Sequence, residues 1–184
     1  MKALKRFARQ SAAAPLMADD VLEFHAGRIA LLLSECGGTS ASINGLTKLA
    51  KLDFFVRYPD YFRAVARHEA PVAGGRPVET AMVRHHYGPW DKRYYHVLAY
   101  LEARSLIMIK KSGKSYRISL TRTGKAAAAA LKRSSAFAAL IGQMHEVAQV
   151  LGSKTGNELK NLIYSSFAEE VAKKPLGSII GAPE

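Results

Sequence analysis

The chain has 184 residues, of which 48% are hydrophobic, and a formal net charge of +12 at pH 7. This length allows one domain or slightly more, with a sizeable core. The positive charge favours polyanionic partners such as nucleic acid. A single cysteine, Cys36, excludes a disulfide framework, which suits a reducing cytoplasm. No apolar run reaches the roughly 20 residues that a membrane span needs, so we expect no contact with a membrane.

The first eighteen residues, MKALKRFARQSAAAPLMA, hold four basic residues and no acidic residue. Basic residues interrupt the apolar part, which argues against a secretory signal. The stretch has some features of an organelle presequence, but a basic tail or a short leading helix fits it better.

Three helices are predicted before residue 70, and they cover residues 21–35, 43–58 and 61–68. The first begins with a capping-box pattern, Asp20-x-x-Glu23, and ends at Gly37-Gly38. Pro59 ends the second, because proline lacks the N–H that a helix interior requires. Asp60 is the predicted N-cap of the third.

A loop is predicted over residues 70–77, which contain two prolines and two glycines. A short strand is predicted over 79–87, as a candidate third strand of the sheet described next. The loop separates the second helix from the helix at Lys92, which weakens the interpretation of that helix as one that reads a base sequence.

The stretch after residue 91 predicts a helix and a two-stranded hairpin, which cover residues 92–104, 106–110 and 116–120. Asp91 is placed to cap the helix. Ser112-Gly113-Lys114 is a turn sequence between the strands, and Thr121 or Thr123 is predicted to cap the next helix. A helix followed by a hairpin with a basic tip is typical of a winged helix-turn-helix.

Two further helices are predicted over residues 124–151 and 157–173, the first ended by Gly152 and the second capped by Ser153 or Thr155. An apolar tail follows over 175–180. The predicted fold is mainly α with a small antiparallel β-sheet, a winged helix-turn-helix with additional C-terminal helices. Its predicted parts are a basic tail over 1–18, a winged-helix domain over 19–130 and a helical extension over 131–184.

Residues 91–133 carry eleven lysines and arginines against two acidic residues, which is +9 of the net charge of +12. A basic stripe on a wing is typical of a nucleic-acid-binding surface, so we predict contact with double-stranded DNA. The alternatives are a solvated basic face and a face for an acidic protein surface. The candidate DNA-binding residues are Arg84, Lys92, Arg93, Lys110, Lys111, Lys114, Arg117, Arg122 and Lys125.

The C-terminal helices exceed what a DNA-binding module needs. In winged-helix proteins such additions usually serve self-association or docking to another chain. On the last predicted helix, apolar residues recur on one face. The candidate partner-binding residues are Leu159, Leu162, Ile163, Tyr164 and Phe167.

The sequence contains no common catalytic or metal-binding motif. Gly74-Gly75 lacks the Lys-Ser/Thr pair of a phosphate-binding loop. His85 and His86 are adjacent on a predicted strand, so they point to opposite faces and cannot chelate one metal together. Acidic residues are scattered, which does not favour a paired-carboxylate or nuclease site. Cys36 is interpreted as a small buried hydrophobe. We expect no enzymatic activity, no cofactor and no bound metal.

The aromatic residues around the predicted helix at 92–104 favour core packing over base stacking, because aromatic rings bury large areas. Tyr94 and Tyr95 are adjacent on that helix, so one of the two is expected to be exposed. Trp90 is expected to anchor the loop that leads into the helix.

Four stretches resemble the winged-helix middle components of bacterial ABC-three-component defence systems, the group that includes Lamassu. They are KLAKLDFFVRYP over 48–59, RHHYGPWDKRYY over 84–95, LEARSLI over 101–107 and GNELKNLIY over 156–164. The third stretch is general to winged helices, and the first two are more specific. The resemblance implies a non-enzymatic accessory subunit that bridges an SMC/Rad50-like ATPase and an effector, often a nuclease, in the cytoplasm.

Three hypotheses follow from the sequence, in order of preference. The first is an accessory subunit of such a defence complex that also offers a sequence-nonspecific DNA-binding surface. The second is a dimeric winged-helix transcription regulator whose helix at 92–104 would read the major groove. The third is a nuclease or other effector that uses His85, His86 and the scattered acids.

Overall fold

The computed structural model describes residues 21–67, 81–86, 88–173 and 175–180 of the chain. Its helices are α1 (Leu22–Cys36), α2 (Leu46–Arg57), α3 (Pro59–Arg67), α4 (Tyr94–Ala103), α5 (Arg122–Lys132), α6 (Ala138–Leu151) and α7 (Gly156–Ser166). Its strands are β1 (Ser42–Asn44), β2 (Val83–His85), β3 (Gly88–Trp90), β4 (Ile107–Ser112) and β5 (Ser115–Leu120). The prediction of a mainly helical chain with a small antiparallel sheet is confirmed.

Several predicted segments lie outside the described residues in whole or in part. They are the basic tail over 1–18, the end of the helix over 61–68, the loop over 70–77, the ends of the strand over 79–87 and the end of the extension over 131–184, together with the capping residue Asp20.

The larger sheet has three antiparallel strands in the order β1-β5-β4. The register places Ile118 of β5 between Ile43 of β1 and Ile109 of β4. Directly paired residues project from the same face of a sheet, so these isoleucines form one apolar face, which joins the core. The two-residue turn between β4 and β5 contains Gly113 at φ +60°, a left-handed conformation that glycine adopts without strain.

Strand β1 was not predicted, since the sequence indicated a helix from residue 43. Residues 42–44 instead pair with β5, and Gly45, with φ +89°, turns the chain into α2. The third strand of the sheet is therefore β1 and not the segment over 79–87. Within that segment, β2 pairs with β3 in a separate two-stranded sheet. Three residues are too few for strand alternation to be recognised beside a strong helical pattern.

The single helix predicted over 124–151 is divided in the structure into α5 and α6. After α5 the chain passes through Ser134 into a 3₁₀ turn over Ser135–Phe137. The Phe137 ring stacks on Phe24 of α1, with 6.3 Å between the ring centroids. Serine is a weaker helix former than alanine, and the break falls at the two serines, where it lets both α5 and α6 pack against α1.

The predicted caps of the last helices are confirmed. The Thr121 side chain accepts a hydrogen bond from the Gly124 N–H at 3.0 Å and caps α5. Thr155 and Glu158 form a reciprocal capping box at the start of α7. This helix ends at Ser166, and a π turn over Ala168–Ala172 replaces the last part of the predicted helix.

Other helix boundaries differ by a few residues from the prediction. Helix α1 begins at Leu22 without a side-chain cap on Val21. Pro59 ends α2 and is also the first residue of α3, because its fixed φ suits the first helical position. Helix α4 begins at Tyr94, two residues later than predicted.

One core extends through the described residues, with α1 and α2 at its centre. Helices α6 and α7 pack directly on α2 and bury Met144, Val147, Leu151, Leu159 and Ile163 in that core. The helices after residue 131 therefore share their apolar packing with the part of the chain that holds the three-stranded sheet.

The segment over 175–180 closes against strand β2. The Ile180 N–H donates to the Met82 carbonyl oxygen, and the Ile180 carbonyl accepts from the Tyr58 hydroxyl at 3.1 Å. Val83 and Ile179 form an isolated antiparallel bridge. Among the described residues, no helix has the length and apolarity to cross a bilayer.

Replacing the helical glycines Gly124 and Gly142 with alanine should change the stability of the fold in opposite directions. A Cβ on Gly124 would overlap with the Leu106 carbonyl oxygen, whereas a Cβ on Gly142, exposed on α6, would meet nothing within 4 Å. Gly124→Ala should therefore destabilise the chain by at least about 2 kcal/mol. Gly142→Ala should stabilise it by about 0.5–1 kcal/mol, since glycine loses more conformational freedom on folding. Urea denaturation followed by circular dichroism measures both, and equal effects would contradict this packing.

Candidate nucleic-acid interface

The hairpin of β4 and β5, called the wing below, extends beyond the core at its turn. Ile109 of β4 and Ile118 of β5 are the last residues of the hairpin that pack against the core. The eight residues between them are all exposed. Four of these are the predicted DNA-binding residues Lys110, Lys111, Lys114 and Arg117. No acidic residue occurs anywhere in residues 107–125. The turn of the hairpin therefore presents positive charge that no acid of the same segment balances.

Two further predicted cations extend this surface along the chain. Arg122 and Lys125 are exposed in the first turn of α5, directly after β5. Lys92 is also exposed, just before α4. In the described ranges, none of these three side chains forms a salt bridge.

The remaining two predicted cations are engaged inside the protein. The Arg84 Nε donates to the Val171 carbonyl oxygen at 3.1 Å. Arg93 donates to both carboxylate oxygens of Asp91 and contacts the His25 Nε2 at 2.8 Å. Their positions in the sequence suggested DNA contact, but the structure gives both arginines contacts that hold the fold together.

Helix α4 presents a face of different chemistry from the wing. Its exposed residues are Tyr95, His96, Ala99, Glu102 and Ala103. Tyr94 is buried and Tyr95 is 63% exposed, so the expectation that one of the two faces outward is confirmed. No lysine, arginine, asparagine or glutamine lies within α4, which leaves its surface nearly without cationic groups.

The N-terminus of α2 lies beside the wing. The Gly45 N–H donates to the Tyr116 carbonyl oxygen at 2.7 Å, and this bond ties the start of α2 to β5. No side chain caps α2 at this end. Because the first N–H groups of a helix carry partial positive charge, this terminus adds to the positive potential next to the wing.

A buried charge network lies beneath these surfaces and joins α1, α2 and the start of α4. Asp53 of α2 contacts the Arg28 Nε at 3.0 Å and the Arg57 guanidinium at 3.7 Å, and it accepts a hydrogen bond from the Tyr94 hydroxyl at 2.7 Å. Arg57 in turn donates to Asp91 at 2.7 Å. Two arginines are thus balanced by two aspartates in the core.

Burial and charge act in opposite directions on the pKa values of this network. Burial alone would raise the pKa of Asp91, but hydrogen bonds from Arg93 and Arg57 hold it well below its ordinary value. Burial, followed by the charge of Asp53, raises the pKa of Tyr94 far above its ordinary value. At neutral pH Asp91 is therefore ionised, and the Tyr94 hydroxyl keeps its proton and donates it in the hydrogen bond to Asp53.

Lys51 is a fully buried cation outside this network. Its Nζ donates to the Pro89 carbonyl oxygen at 2.8 Å and lies 6.0 Å from the centre of the Trp90 ring. Burial, followed by the nearby charge of Lys160, lowers the pKa of Lys51 from 10.5 to about 7. Trp90 is itself buried, as expected for a residue that anchors the loop before α4.

The predicted partner-binding residues divide between core and surface. Leu159, Ile163 and Phe167 are completely buried, and the Phe167 ring packs edge-on against Tyr61 with centroids 4.6 Å apart. These three residues pack within the chain itself, so they offer no surface to a partner. Only Leu162 and Tyr164 of the predicted set are partly exposed.

The histidine pair and the cysteine both pack against other parts of the chain. His85 stacks on Trp90, with centroids 5.5 Å apart, and meets His86 edge-on. Cys36 is buried, and burial raises the pKa of its thiol to about 12. Within the described ranges, no group of three or more His, Cys, Asp or Glu side chains is placed to hold a metal ion.

Sequence reasoning identified the wing cations but missed the buried network. Asp91 was interpreted only as a helix cap, and its side chain does accept a hydrogen bond from the Arg93 N–H at 2.9 Å. The spacing of Asp53 and Arg57, four residues apart on one helix, was an available signal for an ion pair. The contact with Asp91 had no local signal, because it is 34 residues from Arg57.

Comparison of the chain with models of known protein families, with curated proteins and with solved structures finds no match.

Removing the charge of Asp91 should destabilise the fold. Asp91→Asn leaves the buried Arg57 with a weaker partner, so we expect a loss of about 2–4 kcal/mol at pH 7. The pKa of Asp91 is lower in the folded than in the unfolded chain. The ionised carboxylate therefore contributes to the free energy of unfolding above pH 3.8, its ordinary pKa, and this contribution is lost as the pH falls below that value. The difference between wild type and variant should therefore shrink in acid, as measured by urea denaturation monitored through Trp90 fluorescence.

The control for this variant is Asp60→Asn. Asp60 pairs with Arg63, whose side chain is 54% exposed, and such pairs contribute no more than about 1 kcal/mol. Equal losses from the two variants would contradict a structural role for the buried network.

Replacing Lys51 with methionine should stabilise the protein at pH 7 by about 1–3 kcal/mol, because the variant removes a cation that burial disfavours. The lowered pKa of Lys51 means that the unfolded chain holds this proton more tightly between about pH 7 and 10.5. Wild-type stability should therefore rise relative to the variant across this window. Lys125→Met, at an exposed site, is the control and should change little. If the Lys51→Met variant were less stable than wild type at both pH 7 and pH 10.5, burial of Lys51 would not lower its pKa as described.

Proposed function

We propose that this chain is a non-enzymatic accessory subunit of a bacterial defence complex and that its wing contacts double-stranded DNA without reading the base sequence. The observation that carries this proposal is the exposed, acid-free group of cations on the wing, Lys110, Lys111, Lys114 and Arg117. Phosphates of the DNA backbone are the complementary partner for such a group, and neutralising them releases counterions.

The order of the elements supports a winged-helix assignment. Helix α1, strand β1, helix α2, helix α4 and the hairpin of β4 and β5 follow one another in the order of that fold, and the sheet order β1-β5-β4 agrees with it. Helix α3 and the small sheet of β2 and β3 would then be an insertion between the second helix and the helix that precedes the wing.

The chemistry of α4 supports contact without base readout. Direct readout in the major groove relies chiefly on arginine, lysine, asparagine and glutamine, whose side chains pair with base edges. Within α4 these residue types are absent, and the exposed Glu102 would repel phosphate. The wing and the uncapped start of α2 are therefore the parts suited to hold DNA, through its backbone.

Membership of a defence complex rests on the resemblance of the stretches over 48–59 and 84–95. In the structure these stretches contact each other through the ion pair of Arg57 with Asp91 and the hydrogen bond from Lys51 to Pro89. The resemblance implies an SMC/Rad50-like ATPase and an effector as partners, in the cytoplasm. Leu162 and Tyr164, partly exposed on α7, are the remaining candidates for a docking contact.

A dimeric transcription regulator is the second candidate. It is favoured by the position of α4 directly before the wing, where the recognition helix of a winged helix lies, and by the exposed Lys92 at its start. A regulator must bind its operator about 10³–10⁷ times more tightly than other DNA. A ratio near one for the DNA upstream of its own gene would exclude this function.

DNA affinity of the full chain should depend steeply on salt and should be lost when the wing charge is reversed. In fluorescence anisotropy, the triple variant Lys110→Glu, Lys111→Glu, Lys114→Glu should bind a random duplex at least about 100-fold more weakly, because cations that contact phosphate become repulsive. The wild type should bind a random duplex and the upstream duplex equally.

A matched control reverses three cations elsewhere, Arg63→Glu, Arg67→Glu and Lys173→Glu, and lowers the net charge by the same amount. It should retain most of the affinity. Equal losses in the two variants would show that net charge and not the wing determines binding. Absence of binding by the wild type at low salt would direct the search to an acidic protein surface as the partner of the wing.

The role in a complex is tested separately: the proposal predicts that an SMC/Rad50-like ATPase is encoded beside this gene, and the chain is co-expressed with that ATPase. We expect a stable complex on gel filtration that survives the wing variant. A homodimer that does not bind the co-expressed ATPase would contradict the proposed role.

A further inference from the structure

One aromatic side chain lies among the cations of the wing. Tyr116 is on β5, two residues after Lys114, and pairs across the hairpin with Lys111. Its residue exposure is 57%. Tyr116 projects from the same sheet face as Ile109 and Ile118, but it lies beyond the end of the core, near the turn.

The ring of Tyr116 contacts no other aromatic ring among the described residues. Its backbone is nevertheless held in place, because its carbonyl oxygen accepts the Gly45 N–H and its strand pairs with both β1 and β4. By contrast, Tyr58, Tyr61 and Tyr94 are all buried. Tyr116 therefore offers an accessible aromatic surface on a fixed backbone.

The surroundings of this ring determine what it can contact. Lys111, Lys114 and Arg117 would draw a phosphate backbone to the wing, and a nucleic-acid base is the flat group that accompanies phosphate. Base–aromatic stacking tolerates any sequence, since every base has a π face. In a closed duplex these faces are covered by neighbouring bases, so the ring can stack only where a base is terminal or unpaired.

We propose that Tyr116 stacks on an exposed base and that the wing consequently prefers double-stranded DNA with an end, a gap or an unpaired base over closed duplex. This inference rests on the proposed DNA contact of the wing and names the DNA that the wing selects. The cations supply affinity for any duplex, and the ring adds a contact that only disrupted DNA can make.

The test compares two DNA substrates of the same paired sequence, using the full chain. One is a covalently closed duplex minicircle without ends or unpaired bases, and the other is the same minicircle with a short single-stranded gap that contains 2-aminopurine. Wild type should bind the gapped DNA about tenfold more tightly, the effect expected of one stacked base. Its binding should also quench the 2-aminopurine fluorescence, which reports stacking directly.

Three variants separate stacking from charge and from general exposure. Tyr116→Ser should retain the affinity for the closed minicircle but lose both the tenfold preference and the quenching, whereas Tyr116→Phe should retain all three. Among the described residues, the other strongly exposed tyrosine is Tyr95 on α4. Tyr95→Ser removes its ring and should behave as wild type.

The outcomes also distinguish this inference from the proposed function. Equal wild-type affinity for both substrates, or a preference that survives in Tyr116→Ser, would overturn the stacking role and leave DNA binding by the wing intact. A chain that binds neither substrate would overturn both.

Discussion

The buried ion pair between Arg57 and Asp91 is the contact on which the arrangement of the wing depends. It joins the end of α2 to the residue three positions before α4, and both side chains are almost completely removed from water. A charge in such a place is stable only while its partner stays within hydrogen-bond distance. The position of α4 relative to α2 is therefore tightly restricted, and β4 begins only four residues after α4 ends.

The same network extends to α1 and so fixes a third element. Asp53 bridges Arg57 and Arg28, and His25 of α1 contacts both Arg28 and Arg93. Apolar packing alone would hold these helices together, but it would discriminate poorly between neighbouring registers. A set of charges that must all be paired admits few arrangements, which is one way in which buried polar groups specify a structure.

Two populations of charge in this chain have different physical roles. The buried arginines of α1 and α2 are neutralised by aspartates and add nothing to the surface potential. The cations of the wing have no acidic neighbour in sequence and are exposed. Residues 107–125 thus carry +6 of the net charge of +12, at a surface where it can act on a partner. Among the described residues, the buried arginines of the interior are paired with aspartates, and the lowered pKa of the buried Lys51 reduces its charge near neutral pH.

The parts of the fold that the sequence predicted are those encoded by neighbouring residues. The wing was predicted from the strand alternation on both sides of Gly113. The caps at Thr121 and Thr155 were predicted from the type of residue at the start of each helix. Strand β1 was missed because it is defined by its pairing with β5, about 75 residues later. The break between α5 and α6 was missed because the alanine-rich pattern favours one continuous helix.

In the candidate site, too, features encoded by neighbouring residues were predicted and features that depend on distant residues were missed. Exposed cations on a hairpin can be predicted from the sequence alone, since charge and turn chemistry are local. Arg84 and Arg93 could not be separated from the others, because their internal partners, Val171 and His25, are distant in the chain. The burial of Leu159, Ile163 and Phe167 was equally hidden, since an apolar helix face has the same pattern whether it meets its own core or another protein.

The residues that carry the sequence resemblance lie in large part in the core. Its two most specific stretches supply Lys51, Asp53, Arg57, Trp90 and Asp91, all of them buried. Residues of this kind are constrained by one another, so their pattern carries information about the fold and little about ligands. The exposed cations of the wing and Tyr116 lie outside all four stretches. The pattern of these stretches therefore reflects the packing of the core, and the charge and exposure of the wing are independent of it.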